Sequence, residues 1–538
     1  MGSPSIISIY GSHNAAIAVS SNDKIYIVEV ERFLNHKNCG LAQYKVIKQE
    51  NIRPVFQSIL EHVSEHLNIS KHFDLCLWQN TDVVIGEEMV SLSNYVEAEE
   101  YKECEHHRSH AGGSFYQSDF KDALIFSYDG GGNDGFFHVY YGNREKGVEL
   151  IEQYNVNLGF PYMIFGEYFS DIHKESVLSD GNLVYSGKIM GLEGYGEVNT
   201  EWLPAFEDFY DCNMHNNRTM PEDENFHLNK ISRLSESTSL DLDTGNRLVG
   251  KEQYNVAATS QRAFENTFLK YAEPHIKRNP KLPIVLTGGC ALNILLNTRI
   301  KEEFKRPVFV APNSNDCGLA VGMLLNEMKP KHSIDVTYSG IPLLDYDSLF
   351  ERIAWSNFEK VDLLNLSTRL LRGEIIGVAR GGSEHGPRAL GNRSILCNPS
   401  AENMKDILNE EVKHREWFRP FAPVVRLEDV NKYFIFDGES RHMALAAKVR
   451  KRWQKKLEAI THVDGTARIQ TVTRKQNPFL HDLLTEFSYI SDHAVLLNTS
   501  FNVNGKPILS TVKDALEILN STGLSGLVIE DYMICKEN

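Results

Sequence analysis

Two stretches of this chain open in the same way. Ser5–Tyr10, a strand-like run, passes into Gly11-Ser12, and Ala123–Tyr128 passes into Asp129-Gly130-Gly131-Gly132. In both cases another strand-like run follows the turn. A repeated strand–turn–strand opening implies two subdomains that face a shared cleft. Further strand-like runs, Ile25–Val30, Asp74–Trp78 and Ile284–Thr287, alternate with segments of helical spacing such as Arg53–Leu67 and Asn255–Tyr271. Strands alternating with helices predict an α/β fold. At 538 residues the chain exceeds one hydrophobic core, so two or three domains are expected. Pro and Gly punctuate Lys329–Pro342, which puts the boundary between residues 1–340 and 341–538. The polar stretch Cys212–Asp243 reads as an insertion or a mobile surface loop.

Composition narrows the class. The formal charge of −16 weighs against a large nucleic-acid interface. The eight cysteines form no CxxC pair, which disfavours a zinc ribbon or a dithiol centre. Thiols scattered through a chain of this size predict a reduced, cytoplasmic protein. No apolar run approaches the ~20 residues of a membrane helix, so no membrane partner is expected. The opening MGSPSIISIY lacks a basic segment followed by an apolar run, and no signal peptide is expected.

The sharpest local signal is Glu105-His106-His107-Arg108-Ser109-His110-Ala111. On a helix, His106 and His110 share a face one turn apart and can share a metal, while His107 points elsewhere. Asp129, at the end of a strand, supplies a carboxylate. Two imidazoles and a carboxylate suit iron, zinc or manganese without choosing among them. The competing reading, surface or helix-capping histidines, has roughly even standing for the pair alone. Gly288-Gly289-Cys290-Ala291-Leu292-Asn293 follows the strand Ile284–Thr287, a strand–turn–helix in which backbone can approach a phosphate, or simply a tight connection. Asp316 precedes a small-residue helix, Gly318–Leu325. It caps that helix or serves as a fourth ligand, and this segment alone favours the cap.

The second half is rich in arginine. ARGGSEHGPRALGNRSIL from Ala379 carries Arg380, Arg388 and Arg393. After it come Lys413-His414-Arg415-Glu416-Trp417-Phe418-Arg419, then His462-Val463-Asp464-Gly465-Thr466-Ala467-Arg468 and Leu497-Asn498-Thr499-Ser500-Phe501-Asn502. Arginine grips phosphate bidentately. In an acidic chain this concentration points to an anion pocket, with phosphate the leading ligand and scattered surface ion pairs the weaker reading.

Taken in order, these motifs resemble the carbamoyltransferases that act on antibiotics and nodulation factors, and the resemblance covers nearly the whole chain. GSHNAAIAV from Gly11, SGKIMGLEGYG from Ser186, NDCG from Asn315, REWFRPFAP from Arg415 and LNTSFNVNGKPI from Leu497 complete the set. The resemblance implies an actin/Hsp70-like ATPase-type first domain of two subdomains, which binds metal and ATP. It implies a YrdC-like α/β second domain, which binds carbamoyl phosphate. By the same resemblance His106, His110, Asp129 and Asp316 hold the metal, expected to be Fe2+, with Mg2+ a further companion of ATP. Gly130, Lys188, Gly288, Gly289 and Asn293 fall in nucleotide-site motifs. Arg388, Lys413, Arg419, Arg468 and Ser500 match the carbamoyl phosphate pocket, and His462, Asn498 and Asn502 lie in the same motifs.

The implied chemistry is ATP-dependent O-carbamoylation. Carbamoyl phosphate yields carbamate, carbamate and ATP yield carbamoyl-adenylate, and a hydroxyl of a small-molecule acceptor takes the carbamoyl group. His13, in the first glycine turn, is the candidate general base. Its alternative is a structural histidine. The motif departs from the usual His-Asp-Ala in having Asn14, and GLEGYG carries Glu193 where GLAPYG is commoner. Two other readings keep the fold, one with a macromolecular acceptor and one with a non-catalytic ATP-binding protein. A homodimer is compatible with all of them.

Overall fold

The computed structural model describes residues 4–22, 24–41, 47–85, 88–173, 183–211, 226–242, 245–353 and 358–536. The first half holds two five-stranded sheets of the same construction. In the first, Ile6–Tyr10 pairs antiparallel with Ala16–Ser21, which pairs antiparallel with Lys24–Glu29. On the other side of Ile6–Tyr10 lie His72–Gln79 and Glu97–Glu103, both parallel. In the second, Asp122–Gly132 is the first strand, Gly135–Asn143 and Gly147–Tyr154 form the antiparallel side, and Ile284–Thr287 and Val308–Val310 the parallel side. The duplicated opening read from the sequence is therefore a duplicated sheet topology, and the α/β class holds.

Two helices, His106–Gln117 and Leu319–Met328, pack in one apolar cluster with both sheets. Ile6, Phe115, Ile125, Val285 and Leu324 meet there. Burying side chains of this size contributes ~1.5–3 kcal/mol each. The helices touch through glycine. A Cβ on Gly322 would sit 2.1 Å from the Ser109 carbonyl oxygen, and one on Gly113 would sit 3.0 Å from the Gly322 Cα. Bare backbone at the crossing brings the His106 helix close to the turn that carries Asp316.

The second half is built on a ten-stranded mixed sheet, with strands from Phe358–Lys360 to Tyr532–Cys535. Its register gathers the arginine motifs at one end. Ala422 lies opposite Asn498, Val424 opposite Gln470, Ser394 opposite Ser500 and Ala379 opposite Arg393. The loop carrying Arg388, the end of Val495–Ser500, the start of Ala422–Arg426 and the start of Thr466–Val472 are thereby neighbours.

Some sequence expectations shift. Of the polar stretch, residues 212–225 and 243 lie outside the described residues. Within the remainder Phe226–Thr238 is a helix rather than a loop, its Ile231 and Leu234 buried. The helix expected at Gly318–Leu325 runs Leu319–Met328. Among the described residues no helix is long and apolar enough to cross a membrane.

The fold also buries neutral imidazoles. Burial first, then nearby Arg32, holds His385 down to about 3, although the Cys317 carbonyl opposes the shift. Burial and then Lys456 hold His493 down to about 4. A depressed histidine contributes stability that is present above its unfolded value, 6.5, and is lost as pH falls toward the folded value. Unfolding free energy is thus expected to drop between pH 6.5 and pH 5 by on the order of 2 kcal/mol per site. Urea midpoints at pH 7.5 and 5 check this. His493→Gln should lose less between the two, and an equal loss would contradict the assignment.

Candidate active site

His106 is the first residue of its helix. The backbone N–H of His106 donates to Asn133 Oδ1 at 3.0 Å, and that of His107 donates to both carboxylate oxygens of Asp134 at 3.1 Å. The turn after Asp122–Gly132 thus caps the helix from outside. His107 is committed to the fold, its ring nitrogens 2.8 Å from Ser127 Oγ and 3.0 Å from the Gly135 carbonyl. His106 and His110 point the other way, into the cleft between the two sheets, with their Nε2 atoms 3.1 Å apart.

Asp129 and Asp316 complete the group. One atom from each of His106, His110, Asp129 and Asp316 lies within 4.8 Å of the others. His110 Nε2 stands 3.3 Å from Asp129 Oδ2 and 3.4 Å from Asp316 Oδ1. Asp316 makes no side-chain cap to its helix; Tyr10 donates its hydroxyl to Asp316 Oδ2 at 2.6 Å instead. The cap reading gives way to a side chain turned into the cleft. Burial works against the His110 imidazolium, but hydrogen bonds and charge from Asp129 and Asp316 raise it to about 9. Two imidazoles and two carboxylates, three of the four residues buried, need a positive charge among them. This donor set fits a first-row divalent metal.

The glycines serve this cluster. Gly289 N–H donates to Asp129 Oδ2 at 2.5 Å and Gly130 N–H to Asp129 Oδ1 at 2.6 Å, so both orient the carboxylate. Gly288 has φ +90°, and a Cβ there would lie 2.2 Å from the Tyr128 carbonyl, which lets the turn close against Asp129. Gly130 faces open space, with nothing within 4 Å of its would-be Cβ. Asn293 accepts from Leu296 N–H as the cap of Ile294–Phe304 and exchanges hydrogen bonds with Gln261. Lys188 forms a 2.7 Å ion pair with Glu416 of the second half.

His13 sits on the cleft side of the cluster, with Nε2 3.4 Å from Asp316 Oδ2 and a side chain 41% exposed. Its Nδ1 is 3.2 Å from Asn14 Oδ1. Asn14 has φ +57°, a left-handed conformation that Asn tolerates well.

At the end of the large sheet, the side chains of Arg388 and Arg468 make no hydrogen bond or ion pair among the described residues, yet they face Arg419, and Arg468 also faces Arg415. Burial and then repulsion from Arg388, Arg415 and Arg419 pull Arg468 well below the ordinary guanidinium value. Burial and then Arg419 pull Arg388 down to about 10. A guanidinium keeps its proton in a protein, so such crowding calls for an anion. Arg415 is fixed by Asn409 Oδ1 at 2.9 Å and by the Phe421 ring at 4.1 Å. Lys413 is buried and donates to Asn502 Oδ1 and to the carbonyls of Ser500 and Asn502, each at 2.7 Å, so it shapes the Ser500–Asn502 turn. Asn498 Nδ2 donates to the Ala389 carbonyl at 3.2 Å and to Gln470 Oε1 at 2.7 Å. Asn498 thereby braces the residue after Arg388. His462 stands apart from these arginines in its contacts, between Asp464 Oδ1 at 3.3 Å and the Gly191 carbonyl at 3.1 Å. Glu193, in the same run as Gly191, is pushed up to about 7 by burial and then by Asp464.

Sequence reasoning missed Arg415 and Lys37. Arg415 stands inside a quoted motif and only its neighbour Arg419 was singled out. Lys37 comes from the first half of the chain. Burial lowers it first, then Arg419, with Lys188 and Arg388 adding to the effect. It lies in none of the motifs singled out in the sequence, so no local signal marks it. Arg388 also lines a small cavity with Ala291, Ala311, Pro312 and Met443, so the pocket borders the glycine turn of the first domain.

The chain is similar in sequence to known proteins. The family model described as Carbamoyltransferase N-terminus matches residues 69–325, and that described as Carbamoyltransferase C-terminus matches residues 367–536. Nodulation protein NolO of Bradyrhizobium diazoefficiens is 32% identical over 451 residues, covering 80% of this chain and 78% of NolO. The 3'-hydroxymethylcephem-O-carbamoyltransferase of Streptomyces clavuligerus is 35% identical over 297 residues, covering 53% of this chain and 54% of that enzyme. Among solved structures, full-length HypF in its phosphate- and nucleotide-bound form aligns with a TM-score of 0.37 and 16% identity, over 61% of this chain and 46% of HypF. On the two family matches and the NolO identity, the chain belongs to the carbamoyltransferase family and is a transferase enzyme.

Proposed function

We propose that this enzyme is an ATP-dependent O-carbamoyltransferase that forms carbamoyl-adenylate and passes the carbamoyl group to a hydroxyl of a small molecule. The observation that carries the reading is the crowding of Arg388, Arg415, Arg419 and Arg468 at one end of the second-half sheet, in a chain whose first half closes a two-histidine, two-carboxylate cluster. His106, His110, Asp129 and Asp316 would hold a divalent metal, with iron the choice the resemblance implies. When bound, that metal supplies positive charge against the phosphates of ATP.

The residues then divide the work. The arginines grip the phosphate of carbamoyl phosphate and stabilise it as it leaves, while water completes the hydrolysis to carbamate and inorganic phosphate. Carbamate decomposes in water, so a route shielded by the seam beside Arg388 protects it. A carbamate oxygen bonds to the α-phosphorus of ATP and pyrophosphate departs. An acceptor hydroxyl then attacks the carbamoyl carbon, its proton passes to His13, and AMP leaves. Asp316 and Asn14 orient the imidazole, and its exposed edge meets the acceptor.

The test is ATP–pyrophosphate exchange with metal-loaded protein. Exchange that requires carbamoyl phosphate supports the reading, and exchange that is absent, or indifferent to carbamoyl phosphate, ends it. His13→Asn is expected to keep that exchange within a few-fold and to slow transfer to the acceptor by about 10²–10⁴. Parallel loss of both steps would make His13 structural.

A further inference from the structure

The loop that carries Arg388 is gripped from the first domain. Arg32, 3% exposed, donates from Nη1 to the Glu384 carbonyl and from Nη2 to the Gly386 carbonyl at 2.6 Å. Its Nε faces the Glu29 carboxylate, and Glu29 Oε1 accepts from the Gly386 N–H at 2.6 Å. Between these two points His385, fully buried, stands 2.9 Å from the Cys317 carbonyl through Nε2 and 2.9 Å from Asn313 Nδ2 through Nδ1. Gly386 has φ +127°, and a Cβ there would lie 2.1 Å from the Pro312 carbonyl. Residues 384–386 are thus fastened to Glu29 and Arg32 on one side and to the Pro312–Cys317 turn on the other. Arg388 follows two residues later, and Asp316 lies within that turn.

Donor atoms of Glu29, Cys317 and His385 converge within 4.8 Å, as in a metal cluster. They are committed elsewhere. Glu29 is matched by Arg32 and the Gly386 N–H, and both ring nitrogens of His385 have protein partners. The group is a polar clamp.

We propose that Arg32 and Glu29 are positioning residues that hold the Arg388 loop in register with the Asp316 turn, so that carbamate formed at the arginines reaches the nucleotide before it escapes. The inference rests on the function proposed above. Both act through the loop they hold rather than on the reactants. One guanidinium spans two carbonyls and a carboxylate, and a lysine ammonium cannot reproduce that planar fork. A shift of the loop by about an ångström costs productive geometry on the order of 10²-fold. Escaped carbamate takes up a proton and falls to ammonia and carbon dioxide, so escape can be counted.

The experiment measures ammonia released per pyrophosphate formed, with saturating ATP and carbamoyl phosphate. Arg32→Met should still consume carbamoyl phosphate, while its ratio of ammonia to pyrophosphate rises about tenfold or more over wild type. The KM for ATP should change little. Arg32→Lys should fall between the two. The paired variant Glu29→Gln/Arg32→Met leaves no lone buried charge and should show the same raised ratio. A merely structural role would lower both products together and leave the ratio at the wild-type value in the folded variants. That outcome overturns the proposal. Wild-type protein without carbamoyl phosphate-dependent exchange would instead refute the function itself, a result visible before any variant is made.

Discussion

Arg468→Ala is expected to lower turnover of carbamoyl phosphate by about 10²–10³-fold, the usual loss when one charged donor to a departing or developing anion is removed. The Arg468 side chain faces Arg388, Arg415 and Arg419 and makes no hydrogen bond or ion pair of its own among the described residues. Its guanidinium therefore supports the fold little, and its removal relieves repulsion in the ligand-free protein. The variant should be as stable as wild type or slightly more so, while KM for carbamoyl phosphate rises and ATP binding is kept. Thermal unfolding with inorganic phosphate gives a second readout, because a ligand that binds only the folded state raises the midpoint. Wild type should gain from phosphate and Arg468→Ala should not. If both gain equally, the anion pocket lies elsewhere.

The second large effect is expected from His110→Ala. His110 contacts Asp129, Asp316 and His106 at 3.3, 3.4 and 3.1 Å, so its loss removes one of the four ligands proposed above and leaves two carboxylates facing each other. Metal content after dialysis should fall from near-stoichiometric in wild type to a small fraction, and ATP-dependent activity should fall with it. In metal-free protein the variant should lose ~3–5 kcal/mol, because a buried carboxylate that loses its cationic partner is costly. Added Fe2+ should raise the unfolding midpoint of wild type and leave that of the variant unchanged. Full metal occupancy in the variant would refute the ligand assignment.

Much of the first domain was legible in the chain. The two openings at Gly11 and Asp129 differ in sequence, but each joins an apolar strand to a turn and a second strand. Period-2 patterning and glycine turns are local signals that survive without neighbours. The His106–His110 spacing was equally legible, since helix geometry alone puts both imidazoles on one face. Boundaries shifted where local pattern is weak, as in Phe226–Thr238, a helix within a polar stretch. Its polar and small residues mask the few apolar positions, Ile231 and Leu234, that it buries.

The roles of individual residues were less legible. The Gly288-Gly289 turn read either as a backbone approach to phosphate or as a tight connection, and Gly130 fell in a nucleotide-site motif by resemblance; in the fold the N–H groups of Gly289 and Gly130 hold the Asp129 carboxylate. Lys188 sits in a nucleotide-site motif but reaches Glu416 in the second half. A motif names which residue types gather, whereas the direction of each donor depends on what packs beside it.

By itself the sequence determined the α/β class, the duplicated opening, the histidine pair and the supply of arginines, because each depends on residues close together along the chain. Only the tertiary structure decided that Asp316 turns from its helix toward His110, that Lys37 joins Arg419 and Arg388, and that Arg32 fastens the Arg388 loop. Those contacts span hundreds of residues. They follow from sheet register and from bare glycine backbone at Gly322 and Gly386, where close approach depends on the absence of a side chain.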